Sequence, residues 1–216
     1  MTLHYQTVSP VLLDCLRRLM SHPAFKYFYL VGGTSLALQR GHRLSIDIDL
    51  FTCIPYGEMN TEEVATALYE MFPYTDRVDE LQHSQMVYSM YVGDSKEDCI
   101  KLDLCYDETP VFPLIEVDGL RIASEKDIAA MKIQAITQTE QRRKDFWDIH
   151  DLLESYTLSE MISWGIDRYP WSVTPEAVKD AFKRLPFLTD FTEVICLKGK
   201  YWEFVVEDLL EESKSL

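Results

Sequence analysis

From Pro10 onward the apolar residues recur with a helical period. Val11, Leu12, Cys15, Leu16 and Leu19 fall on one stripe. This predicts a helix running to about His22, with Ser9 as cap and Pro10 at its first position. The period then changes. Tyr29, Leu30 and Val31 form a short apolar run closed by Gly32-Gly33, the pattern of a buried strand and a tight turn. Thr34 and Ser35 follow and can cap a short helix through Gln39. Ser45-Ile46-Asp47-Ile48-Asp49-Leu50 alternates with a period of two. Ile46, Ile48 and Leu50 are expected on the core face, with Asp47 and Asp49 on the other, about 7 Å apart along the strand.

A helix is expected over residues 61–72, opened by Thr61-Glu62-Glu63 and stopped by Pro73. Residues 77–104 read as strands between polar turns, with one over 85–92 and the next starting at Cys99. In the latter, Ile100, Leu102 and Leu104 alternate with Lys101, Asp103 and Cys105, so Asp103 has the same in/out phase as Asp47 and Asp49. A short strand at 120–122 leads to Ser124, which caps a helix running to about Thr139. Its apolar stripe is Ile128, Met131, Ala135 and Ile136, and Lys132 falls within it. The following helix, over 141–153, turns Phe146, Ile149, Leu152 and Leu153 inward. Asp145 lies in that apolar arc, where it can pair with Lys132, and Asp148 lies at its edge, one turn from Lys144. Helices are expected again over 158–164, 175–185 and 201–212. Tyr169, Trp171, Phe187, Trp202 and Phe204 would pack them together, and the acidic tail over 207–216 is expected to fray.

The pattern therefore predicts an α+β protein: a mixed β-sheet with flanking helices over residues 1–122, then a helical lobe over 123–216. Among 216 residues, 47% hydrophobic content supports one good core. No apolar run approaches the ~20 residues of a membrane span, and the first ten residues do not read as a signal peptide. Five scattered cysteines without a CxxC spacing suit a reducing cytosol rather than disulfides or a zinc site, so a cytoplasmic location is expected. A formal net charge of −15 repels nucleic acid at long range, so an RNA acceptor would need a local basic patch. Arg40, His42 and Arg43 beside the aspartate strand, and Arg142 and Arg143 further on, are the candidates for it.

Two carboxylates on one strand face repel, and so call for a cation or a shared proton. A hard divalent ion carrying a triphosphate suits them, and the helix N-terminus after Gly32-Gly33 presents free amides to phosphate. The spacing hydrophobic-Gly-Gly-x13-Asp-hydrophobic-Asp resembles the signature of the DNA polymerase β-like nucleotidyltransferases. Together VGGTSLALQRGHRLSIDIDLF, SEKDIAAMKIQAI and RRKDFWDIHDLL are similar, in order, to the AbiEii-type nucleotidyltransferase toxins of type IV toxin–antitoxin systems. The resemblance spans about residues 29–153. One departure is that Gly33 is followed by Thr34 and then Ser35, where the family often has Gly-Ser.

The resemblance implies transfer of a nucleoside monophosphate from an NTP to an acceptor hydroxyl, with Mg²⁺ or Mn²⁺ held by Asp47, Asp49 and Asp103. It implies catalytic roles for those three with Lys132 and Asp148, and nucleotide binding by Gly32, Gly33, Thr34, Ser35, Lys144 and Asp145. It further implies tRNA 3′ ends or another RNA as acceptor, bound by Arg40, His42, Arg43, Arg142 and Arg143, and a cognate antitoxin as partner. A protein hydroxyl as acceptor, or a non-catalytic module that binds a nucleotide or a partner, stays open.

Overall fold

In the computed structural model, which describes residues 1–83 and 85–216, the period-two stretches form strands. These are β1 (Phe28–Leu30), β2 (Asp47–Thr52), β3 (Tyr74–Asp76), β4 (Val87–Gly93), β5 (Cys99–Tyr106), β6 (Ile115–Val117) and β7 (Leu120–Ile122). They make one mixed sheet in the order β3-β4-β5-β2-β1-β7-β6. β2 runs parallel to β5 and antiparallel to β1. The β2–β5 register sets Asp49 opposite Asp103 and Asp47 opposite Lys101. The two strands are far apart in sequence, and their pairing makes a single acidic face.

The helices are α1 (Pro10–Ser21), α2 (Gly32–Arg40), α3 (Thr61–Met71), α4 (Glu125–Thr137), α5 (Arg143–Leu152), α6 (Leu158–Arg168), α7 (Pro175–Arg184) and α8 (Trp202–Glu212). Local chemistry sets their starts. Ser9 and Ser124 accept from the amides of Leu12 and Asp127, and Thr157 with Glu160 makes a full capping box. Two apolar clusters result. One gathers Leu12, Leu16 and Leu19 of α1 and Val64 and Leu68 of α3 under Ile48, Leu50, Leu102 and Leu104 of the sheet. The other joins Tyr29, Val31 and Leu36 to the buried faces of α4 through α8. Among the described residues no helix is long and apolar enough to cross a membrane.

Several expectations need correcting. β2 begins at Asp47, and Ile46 is 74% exposed, because the chain enters the sheet two residues later than the alternation suggests. The 77–104 stretch is not all strand: residues Val78–Gln82 form a 3₁₀ turn that buries Val78 and Leu81. Ser84, in the same stretch, lies outside the described residues. β6 was not foreseen; Asp118 and Gly119, both at positive φ, form the hairpin turn that folds it onto β7. The tail does not fray: Val205 and Leu209 are fully buried and Lys179 Nζ donates to the Leu216 carbonyl at 3.1 Å. Of the five aromatics expected to pack the last helices, Tyr169 is buried and Trp202 stacks on Trp147. Trp171, Phe187 and Phe204 stay exposed.

Candidate active site

β1 delivers the chain to a bend that only glycine tolerates. Val31 N–H donates to the Asp49 carbonyl at 2.9 Å, and Gly32 then adopts φ +67° as α2 begins. A Cβ on Gly32 would lie 2.5 Å from Asp49 Oδ2, and one on Gly33 would lie 2.2 Å from Arg43 Nη2. The missing side chains let the first turn of α2 lie against a carboxylate on one side and a guanidinium on the other. Val31 caps α2, with no side-chain cap. Thr34 and Ser35 therefore sit inside the helix, and both are buried. The Thr34 hydroxyl donates to the Asp47 carbonyl, and Ser35 Oγ accepts from Gln39 Nε2 at 3.2 Å. Their hydroxyls hold the bend together, contrary to the expectation that they reach a phosphate.

The bend opens on a cavity of about 290 Å³ that Asp47, Asp49 and Asp103 line from the sheet. Lys132 faces them from α4, and Lys144 and Arg142 from the start of α5. Each carboxylate has a different neighbour. Asp103 accepts from Lys101 Nζ at 2.5 Å and from Ser89 Oγ at 2.6 Å, while Lys144 Nζ lies 3.8 Å from Asp47. Burial and then the adjacent Asp103 push the Asp49 carboxyl above its usual range, with Lys144 opposing them. Among the described residues no three acidic, imidazole or thiol groups converge closely enough to close round a metal ion by themselves. A donor set of two neighbouring aspartates and a third across the register, its central member short of positive charge, still suits a hard cation that brings oxygen ligands of its own.

Behind the cavity wall lies a network of buried charges. Asp148 is fully buried and holds Arg43 at 2.6 and 2.9 Å, His42 at 2.8 Å and Lys132 at 2.7 Å. Asp145 takes Lys132 at 2.7 Å and Arg142 at 2.8 Å, so the expected Lys132–Asp145 pair is present. Burial alone would raise the Asp148 carboxyl, but Arg43 and Lys132 hold it well below its usual range. Burial alone would lower Lys132, but Asp145 and Asp148 reverse the sign and keep it charged.

This geometry corrects the basic patch. His42 and Arg43 are internal partners of Asp148 and are turned away from solvent. Arg40 is a strut from α2 to Asp151, at 2.5 Å, and to Glu125, at 3.1 Å. The Arg143 guanidinium lies 4.9 Å from the Trp202 ring centre. Arg142 alone of the five lines the cavity. Asp148 is enclosed by Arg43, His42 and Lys132, whereas Asp145 pairs with Lys132 and Arg142 and still lines the cavity.

Two partners of Asp103 were missed, Lys101, which lines the cavity, and Ser89, which does not. Lys101 and Ser89 both bond Asp103, and Lys101 shares its strand face two positions away. The alternation over 99–106 already put Lys101 beside Asp103, so that signal was present. Ser89 needed the β4–β5 register, which sets it opposite Asp103.

A mixed sheet bearing this acidic face beside a glycine bend, with helices closing the cavity, defines a nucleotidyltransferase-type fold. It is similar over 94% of its length to an H. pylori protein assigned as a nucleotidyltransferase, with 90% of that chain covered, TM-score 0.62 and 18% identity. JHP933 from Helicobacter pylori superposes as well, at TM-score 0.62 and 17% identity, over 94% of this chain and 88% of that one. The family model of the nucleotidyl transferase AbiEii toxin, type IV TA system, matches residues 14–169, and the chain belongs to that family. It is also 30% identical over 152 residues to the uncharacterized protein aq_aa25 of Aquifex aeolicus (strain VF5), a match spanning 66% of each chain. This chain thus spans about two thirds of that relative's length.

Proposed function

We propose that the protein transfers a nucleoside monophosphate from an NTP to a hydroxyl of an RNA, with the 3′ end of tRNA as the leading acceptor. The observation that carries this reading is the placement of Asp49 against the Gly32 backbone and in register with Asp103, inside a cavity walled by cations on its far side. Such a face is uncomfortable alone and becomes balanced when a cation-laden polyphosphate enters.

Asp47, Asp49 and Asp103 are the residues to hold Mg²⁺ or Mn²⁺, which would neutralise phosphate charge and acidify the attacking hydroxyl. The chain's own groups do the rest. The amides at the start of α2 face the phosphates. Lys132, kept charged by Asp145 and Asp148, offsets the charge that grows on pyrophosphate as the acceptor oxygen attacks the α-phosphorus and the bond to the leaving group breaks. Lys144 and Arg142 hold the outer phosphates at the cavity's edge. Asp145 and Asp148 are positioning residues. NTP supply and the free cysteines favour action in the cytoplasm, with a cognate antitoxin as partner.

The test is incubation with Mg²⁺, each labelled NTP and total RNA. Label on RNA that disappears in Asp49→Ala is the expected result. Label appearing on protein instead would move the acceptor to a protein hydroxyl. NTP binding with no transfer to either would leave a binding module.

A further inference from the structure

The cavity has two chemically different ends. Around the bend it is charged. Away from it the wall is carbon: Phe51 of β2, Met131 and Ala135 of α4, and Tyr169, which follows α6. A nucleoside triphosphate divides in the same way, polyphosphate at one end and a flat apolar ring at the other.

Tyr169 is buried, and its hydroxyl is already committed. Arg168 Nε donates to it at 2.9 Å, and the Arg168 guanidinium is held in turn by Asp107 and Asp127 at 2.5 and 2.7 Å. A ring fixed in this way offers a rigid apolar surface and no free polar tip, which suits stacking of a base.

Gln134 differs from its surroundings. It sits one helical turn from Met131 on α4 and lines the same cavity. The neighbouring Gln138 and Gln141 side chains donate to the carbonyls of Gln134 and Ile136. The Gln134 amide makes no hydrogen bond among the described residues. An amide placed beside an apolar wall, with a donor and an acceptor both free, is the group that reads a base edge.

We infer that Met131, Gln134 and Tyr169 form the nucleobase subsite of this cavity, and that Gln134 is the residue that selects the base. The inference rests on the nucleotidyl-transfer reading and extends it to a specificity determinant. A glutamate at this position could only accept, so it would favour a base edge that presents N–H donors to it and disfavour one that presents only acceptors.

The experiment measures binding of non-hydrolysable ATP, GTP, CTP and UTP analogues, and of inorganic tripolyphosphate, with Mg²⁺. The proteins are the full chain, Gln134→Ala and Gln134→Glu, each checked to melt as the parent does. The parent is expected to prefer one NTP. Gln134→Ala should narrow the spread between best and worst by about tenfold. Gln134→Glu, which loses the donor, should change the order of preference among the four NTPs, and tripolyphosphate should bind Gln134→Ala as it binds the parent. Equal binding of all four NTPs by the parent, or an unchanged spread in Gln134→Ala, overturns the subsite and leaves the transferase reading in place. A parent that binds neither NTP nor tripolyphosphate overturns both.

Discussion

Gly32 combines two constraints that substitution can separate. Its φ of +67° alone makes any side chain strained, and a Cβ there meets Asp49 Oδ2 at 2.5 Å. Gly57 has φ +84° with nothing within 4 Å of its ideal Cβ. Alanine at either position should cost about 1–2 kcal/mol from the left-handed backbone, measured by urea unfolding. Only Gly32→Ala should also lose NTP-dependent transfer, because the Asp49 carboxylate must move.

The aspartates carry opposite signs of pH dependence. Asp148 is held well below its usual value, so its stabilisation is complete above the ordinary carboxylate range and is lost as pH falls through its folded value. Asp148→Asn leaves Arg43 and Lys132 facing a neutral group and should cost about 3–5 kcal/mol at neutral pH. Its unfolding free energy should be flatter than the parent's below about pH 4. Asp49 is raised, so the folded state binds its proton more tightly than the unfolded chain, and stability falls as pH rises through the folded value. Asp49→Asn should therefore melt higher than the parent at pH 7 in EDTA while losing transfer. A lower melting temperature would mean that the carboxylate is a structural anchor.

At the scale of elements, α5 shows what the sequence could and could not reveal. Its period placed Asp145 in the apolar arc, and an acid in that position demands a cation, which proved to be Lys132. The same logic applied to Asp148 and Asp151 would have called for more buried cations. Arg43, from the α2–β2 connection, and Arg40, from the end of α2, are those cations. They read as a surface patch because adjacency along the chain shows charge but not which helix will cover it. The strands divide similarly. The alternation of β5 gave its ends and its polar face, but the parallel pairing that brings Asp103 beside Asp49 depends on a crossover that no local pattern encodes. The helical pattern also allowed an i,i+4 pair between Lys144 and Asp148. Instead Lys144 turns to Asp47 at 3.8 Å and is half-exposed. Such a contact contributes about 0–1 kcal/mol, so Lys144→Ala should leave the melting temperature within a degree or two of the parent. Its NTP affinity should drop several-fold in a binding titration, and unchanged affinity would remove Lys144 from the site.

For the whole molecule the decisive quantity is charge that can still be reached. The net charge is −15, and much of the nearby positive charge is spent inside the fold: Arg40, Arg43 and Lys132 all face buried carboxylates. At the cavity, Lys101, Arg142 and Lys144 keep a third or more of their side-chain surface exposed. An RNA end reaching the site can therefore gain only a few phosphate contacts while it approaches an acidic body. With about three contacts on a single strand, the logarithm of RNA affinity should fall against the logarithm of salt with a slope of about −2. Titrating labelled tRNA against the protein from low to moderate salt reads that slope directly. A much steeper slope would require a basic surface that the described residues do not present near the aspartates, and would place the acceptor elsewhere. A shallow slope implies that the acceptor is recognised at its terminus, with affinity coming from the cavity itself and from the triphosphate already seated there.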